Sequence, residues 1–235
     1  ELARILTYSS SSLTTDQERR DALSQALSVI DIAKEAEPTN ADVLAVRAFV
    51  LNWLSNPSLS GERSEEYLNQ AEAEALAAIQ LDSTNALAKA YYAEILIDQY
   101  KLVQAQDYIA QARSNGEHLM DVRRVQAYIY EVLGEYNLAI DWYKKAIEVT
   151  PNLTFLYIRA GVLYRYLQQY DIALEFFDKA VSLNQQLGIQ DPIPYMAIAN
   201  TYIRQGEAMA ASRNAYRALE INPYNPDIYG QVGVI

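Results

Sequence analysis

The 235-residue chain has no cysteine, one histidine, four phenylalanines and two tryptophans. Without cysteine there is neither a disulfide framework nor thiol chemistry. A metal site or catalytic triad built on histidine would have to use His118 alone, and such sites require several convergent groups. His118 stands beside Glu117 between two periodic segments and reads as a surface residue. Basic residues are few, 19 against 30 acidic ones, for a formal net charge of -11. A nucleic-acid binder uses Lys and Arg to displace counterions from phosphates, and an anionic membrane surface attracts the same residues. Neither kind of partner is expected. No apolar run approaches the ~20 residues of a membrane span, so no membrane insertion is expected. Glu1–Tyr8 does not read as a signal peptide. A soluble, cytoplasmic setting is the expectation, although the sequence does not specify the compartment.

What the chain does contain is a period. Ala26, Ala71, Ala105, Ala139, Ala173 and Ala211 are separated by 45, 34, 34, 34 and 38 residues, and Ala33, Ala78, Ala112, Ala146, Ala180 and Ala218 repeat those steps. A second small column reads Ala48, Ala93, Ala127, Gly161 and Ala199, followed three residues later by Leu51, Leu96, Tyr130, Tyr164 and Tyr202. Small residues at fixed helical positions let two helices approach closely, and a large residue one turn away fills the space beside them. Each unit holds two segments with apolar residues at i, i+3/i+4, i+7, as in Ala173-Leu174-Phe177-Ala180-Leu183. Gly134 and Gly206 sit where the first of the two helices should stop. No segment alternates with period two for long enough to make a strand.

A helical hairpin of 34 residues with Gly or Ala, Tyr, Gly, Tyr, Ala, Tyr or Phe, Ala and Pro in that order resembles the tetratricopeptide repeat. Residues 120–153 carry Ala127, Tyr130, Gly134, Tyr136, Ala139, Tyr143, Ala146 and Pro151, and residues 154–187 carry Tyr157, Gly161, Tyr164, Tyr170, Ala173, Phe177 and Ala180. The family's Trp slot departs, holding Leu44, Lys89, Arg123, Tyr157 and Tyr195. The resemblance implies an all-α fold, an α-solenoid of stacked helix-turn-helix repeats forming a superhelix with a concave groove. The repeats fall at 1–40 (partial), 41–85, 86–119, 120–153, 154–187 and 192–225, and 226–235 starts a further helix.

The first two units are longer. Eleven extra residues separate Ala48 from Ala71 when compared with Ala93 and Ala105, and Ala3 to Ala26 shows the same elongation. Parts of the inserts, Asp16–Arg20 and Glu62–Glu66, are expected to lengthen the second helix of each unit, with Thr15 and Glu18 placed to form a capping box. Asn225-Pro226 reads as the start of another helix, with Tyr229 and Gly233 continuing the repeat columns. A solenoid normally ends in a polar capping helix. Since neither end has one, the chain is expected to be excised from a longer protein.

In the tetratricopeptide-repeat family the first helix of each pair lines the concave face, where peptides or helices dock. Carried over, the resemblance puts Phe49, Trp53, Tyr91, Glu94, Asp98, Arg124 and Tyr128 on the groove in the earlier repeats. In the later repeats it puts Phe155, Arg159, Val162, Arg165, Tyr166, Met196, Asn200 and Arg204 there. The implied activity is that of a protein-protein interaction scaffold. Its partner would be a protein or peptide offering an apolar or aromatic segment, with an acidic group placed near the arginines, which pair carboxylates in bidentate fashion. The chaperone-binding subclass carries Lys and Asn four apart, then Asn, then Lys and Arg on successive first helices. This chain lacks that set, with Phe155 in the place of the last Lys, so no binding to the acidic tails of heat-shock chaperones is expected. The competing reading is a structural or regulatory segment that packs against its own flanking chain or forms homo-oligomers through uncapped ends at Val232, Val234 and Ile235. No enzyme activity, cofactor or metal is expected. The acidic pairs Glu65-Glu66 and Glu72/Glu74 read as solvated helix faces, and no phosphate-binding loop is present. Asn152-Leu153-Thr154 is a glycosylation sequon that matters only in a glycosylating compartment.

Overall fold

The computed structural model describes residues 1–223 and 228–230. Val232, Gly233, Val234, Ile235 and the Asn225-Pro226 helix start lie outside the described residues. Among those described, every regular element is helical: α1 (Leu2–Ser10), α2 (Asp16–Ala36), α3 (Ala41–Leu54), α4 (Pro57–Ser60), α5 (Ser64–Leu81), α6 (Ala86–Asp98), α7 (Leu102–Gly116), α8 (Met120–Val132), α9 (Tyr136–Val149), α10 (Thr154–Tyr166), α11 (Tyr170–Leu187), α12 (Ile193–Gln205) and α13 (Ala208–Ile221). A 3-10 turn over Gly61–Arg63 joins α4 to α5. The chain forms two compact units, Glu1–Ser11 with Asp16–Gly134, and Ser12–Thr15 with Glu135–Ile235.

Within the first unit α1 packs on α2, α3 on α5, and α6 on α7, while α3, α6 and α8 adjoin one another in turn. Within the second, α10 packs on both α9 and α11, α11 on α12, and α12 on α13. The alanine column explains the pairing. Ala26, Ala71, Ala105, Ala139, Ala173 and Ala211 are all fully buried, as are Ala48, Ala93, Ala127 and Ala199. Such small side chains let the paired helices approach closely. Gly161 stands in this column where a Cβ would lie 2.6 Å from the Phe177 ring.

Starts and stops are set locally. Asn40 caps α3 by accepting from the amides of Asp42 and Val43 at 2.9 and 3.3 Å, and Asn85 caps α6 by accepting from Ala88 at 2.8 Å. The first helices α6, α8, α10 and α12 each end with a left-handed residue at the same place in the repeat, at Tyr100, Gly134, Gln168 and Gly206 with φ of 61°, 77°, 60° and 79°. Two of these four are not glycine, although a side chain in this region costs about 1–2 kcal/mol. The inserts behave differently in the two elongated units. Asp16–Arg20 is continuous with α2, whereas the second insert first makes α4 and the 3-10 turn before α5 begins.

Candidate partner-binding surfaces

In the first unit the first helices α1, α3, α6 and α8 converge on a buried polar and aromatic cluster. The Phe49 ring stacks on Tyr91 with centroids 4.6 Å apart and meets Tyr8 at 5.1 Å and Trp53 at 5.4 Å. Arg124 reaches from α8 to Glu94 on α6 with both arms of its fork, at 2.7 and 2.6 Å, and its Nε donates to the Tyr8 hydroxyl at 3.2 Å. Its guanidinium also lies 5.5 Å from the Phe49 centroid. Asp121 accepts from three donors: the Tyr91 hydroxyl at 2.9 Å, the Tyr8 hydroxyl, and Arg4, which completes an ion pair.

The electrostatics follow from this enclosure. Burial away from water pushes the Tyr8 and Tyr91 phenols well up, and the neighbouring Asp121 charge adds to the effect. Burial alone would lower the Arg124 pKa, but the Glu94 carboxylate overrides it and holds the guanidinium more firmly protonated. At the rim, Asp98 accepts from Asn52 at 3.0 Å and from Tyr128 at 3.3 Å. Its carboxyl is pushed up to about 6 by desolvation and by the nearby Glu94 charge.

Phe49, Tyr91, Glu94 and Arg124, expected on a groove surface, thus lie inside the first unit, with relative exposures of 0%, 1%, 6% and 4%. Their side chains satisfy one another. Trp53 and Tyr128 are half-buried and Asp98 is exposed, so these three form the accessible edge of the cluster. Arg4, Tyr8 and Asp121 are the members that sequence reasoning left out of the site. Two of them carried a signal: Tyr8 aligns with Trp53, and Asp121 stands in a column flanking the expected groove.

The second unit is arranged differently. Val162 and Ile158 on α10 pack against the cluster of Ala173, Phe177, Ala197 and Ile198 while remaining half-buried. Phe155, Met196 and Asn200 are likewise half-buried. Tyr166 is 57% exposed and stacks on Tyr136 at 5.6 Å. Arg159 donates through Nε to the Tyr143 hydroxyl at 3.4 Å. Arg165 crosses from α10 to α12, where its Nη1 donates to the Ala197 carbonyl at 3.2 Å, and Arg204 is exposed near the end of α12. Here the expected site residues retain access to solvent.

Architecture and surfaces together define a helical-hairpin repeat scaffold. Residues 125–153 and 156–187 match the tetratricopeptide repeat. Solved structures of similar fold include a chain of the APC/C hetero-tetramer Cut9–Hcn1 (14% identity, TM-score 0.73), in which the match covers 92% of this chain and 40% of that one. They also include YrrB, described as a TPR protein with an unusual peptide-binding site (19% identity, TM-score 0.58, 86% and 96% coverage). Human IFIT1, solved as a dimer with PPP-AAAA, matches at 23% identity and TM-score 0.66, over 87% of this chain and 49% of that one. The chain thus spans less than half of the Cut9–Hcn1 and IFIT1 chains it matches. No curated protein sequence matches it. In these two repeats and in its fold the chain is similar to tetratricopeptide-repeat proteins. No described helix is long and apolar enough to cross a membrane.

Proposed function

We propose that the chain docks a peptide segment of a partner protein along α10 and α12 of its second unit. The observation that carries this reading is a contrast between units. In the first unit the inward side chains of the first helices are spent on one another. In the second, Phe155, Val162, Tyr166, Met196 and Asn200 stay accessible beside Arg159, Arg165 and Arg204. Aromatic residues, Met and Arg are the types enriched at protein interfaces. α10 and α12 contain no acidic residue at all, in a chain of net charge -11. An apolar segment bearing a carboxylate is the complement of such a surface. The peptide-binding site of YrrB, on a similar fold, supports a peptide as the ligand. The acidic balance of the chain weighs against RNA of the kind seen with IFIT1.

The test is a peptide-array screen with the whole chain, followed by isotope-edited NMR of the strongest hits. Bound peptides should shift backbone amides of α10 and α12 above all, and Val162→Glu or Met196→Glu should weaken binding by at least tenfold. Hits that shift only other helices, or that bind both variants as tightly as the parent, would refute the reading. A chain that light scattering shows to dimerise through α10 and α12, to the exclusion of peptide, would favour self-association instead.

A further inference from the structure

Asp98 is a carboxylate that the first unit leaves without a counter-charge. Asp121 holds Arg4, Glu94 holds both arms of Arg124, and Glu74 holds Lys34 and Arg47. Asp98 pairs with no cation among the described residues. Its two partners are neutral donors, Asn52 Nδ2 of α3 at 3.0 Å and the Tyr128 hydroxyl of α8 at 3.3 Å. The Asn52 side chain is itself buried, at 6% exposure, and its Oδ1 receives no hydrogen bond. A buried acceptor without a donor is costly, and this one sits on the very amide that holds the uncompensated carboxylate.

The backbone adds negative charge at the same place. Asp98 is the last residue of α6, and the carbonyls at a helix C-terminus carry a partial negative charge that a base in the last turn balances. α3, α6 and α8 have no basic residue in the last turn, whereas α10 and α12 of the second unit have Arg165 and Arg204 there. Two half-buried aromatics belong to the same rim: Trp53 follows Asn52 on α3, and Tyr128 gives its hydroxyl to the carboxylate. A carboxylate, a helix C-terminus, an amide oxygen without a donor and an aromatic ring all attract an organic cation, whose several N–H groups serve more than one acceptor.

We infer that the rim around Asp98, where α3, α6 and α8 end, receives the ammonium or guanidinium of a basic side chain, a lysine or arginine of a partner protein. The cation pairs with Asp98, supplies a donor to the Asn52 amide and lies beside the Tyr128 ring. This site is separate from the docking surface on α10 and α12 and does not depend on it. A divalent metal ion is the rival ligand. The basic side chain is favoured because no group of three metal-ligating side chains occurs among the described residues, and Glu94, the nearby acid, is taken by Arg124. Binding is linked to pH, since the receiving carboxylate must be ionised. Loss of hydration and the Glu94 charge raise its pKa to about 6, opposed by the bonds from Asn52 and Tyr128 and by the Arg124 charge. Beside the end of α6, Glu72 of α5 is engaged by Gln99 at 2.7 Å and by Lys101, the residue before α7, at 3.9 Å. Affinity therefore falls as pH drops below about 6.

The experiment titrates the 235-residue chain at pH 7 and low ionic strength with acetyl-Leu-Lys-Leu-amide, with the same tripeptide carrying norleucine in place of Lys, and with Mg²⁺ and Ca²⁺. NMR follows the Asn52 side-chain amide and the Trp53 indole N–H. The Lys peptide should move both signals and bind about tenfold more tightly than the norleucine peptide, the worth of one charge-assisted contact. Asp98→Asn should abolish that preference, while Glu65→Gln, which removes the same charge from an exposed position on α5, should keep it. At pH 5, about one unit below the Asp98 pKa, the preference should be largely lost. Equal binding of the two peptides overturns the site, as does a preference that survives in Asp98→Asn. A preference lost equally in Glu65→Gln means diffuse attraction by an acidic chain and overturns it too. If Mg²⁺ or Ca²⁺ moves the Asn52 and Trp53 signals at lower concentration than the Lys peptide does, the assignment to a basic side chain falls.

Discussion

Arg124 on α8 and Glu94 on α6 form a two-pronged ion pair at 2.7 and 2.6 Å inside the first unit, sealed above by Tyr8 and Phe49. Breaking such a pair from one side leaves an uncompensated charge in a place water does not reach. Glu94→Leu should cost roughly 3–5 kcal/mol. Glu94→Leu combined with Arg124→Leu should recover much of that loss, because no orphan charge remains. Urea denaturation of the parent, the single and the double variant decides it. A single variant within about 1 kcal/mol of the parent would show that the pair is not buried in solution.

Asp121 gathers Arg4 and Tyr8 of α1 and Tyr91 of α6 around one carboxylate. Asp121→Asn keeps the shape but sets an amide against the Arg4 guanidinium. Hydrogen exchange of residues 2–10 should then accelerate by about tenfold or more, the loss of one bond to a charged group. Amides of α7, which supplies none of the three donors to Asp121, should hold their protection. Unchanged exchange in α1 would mean that α2 and α3 alone hold it in place.

Asp98 supplies a pH dependence with a definite sign. Its folded-state pKa is raised to about 6 from the ordinary 3.8, so the fold binds a proton more tightly than the unfolded chain does. This group therefore favours folding at low pH, and that contribution is lost as pH rises from about 4 to about 6. Asp98→Asn should remove this part of the slope and raise stability at pH 7 by about 1 kcal/mol, allowing for solvent screening at an exposed rim. Denaturation midpoints of both proteins across pH 4–7 provide the check. A variant less stable than the parent at pH 7 would mean that the bonds from Asn52 and Tyr128 outweigh the charge.

Tyr100 is 91% exposed and sits in the left-handed region at φ 61°, where Gly134 and Gly206 stand in two sister repeats. Tyr100→Gly relieves the backbone at almost no loss of packing, although glycine gains freedom in the unfolded chain. A net stabilisation of up to about 1 kcal/mol is expected from thermal and urea melts. Destabilisation would show that the Tyr100 ring makes a contact that matters.

The helical hairpins were legible from spacing alone. A repeated alanine forces close helix approach whatever surrounds it, and Gly134 and Gly206 do end their helices in left-handed caps. Tyr100 and Gln168 adopt the same conformation without the sequence announcing it, because the fold imposes the turn on whichever residue stands there. The course of the second insert through α4 and a 3-10 turn was equally hidden, since Asp16–Arg20 and Glu62–Glu66 look alike as charged helical stretches.

Which first-helix residues face a partner depends on more than periodicity. The sequence by itself determined the repeat, the hairpin and the columns, because these arise from contacts between residues a few turns or one repeat apart. Only the tertiary structure decided that Phe49, Tyr91, Glu94 and Arg124 turn toward one another while Val162, Tyr166, Met196 and Arg204 keep their access to solvent. That choice needs Tyr8 to meet Asp121 across 113 residues of sequence. Whether helices so far apart in the chain converge is set by small tilts accumulated over several repeats, and no single column of residues records that sum.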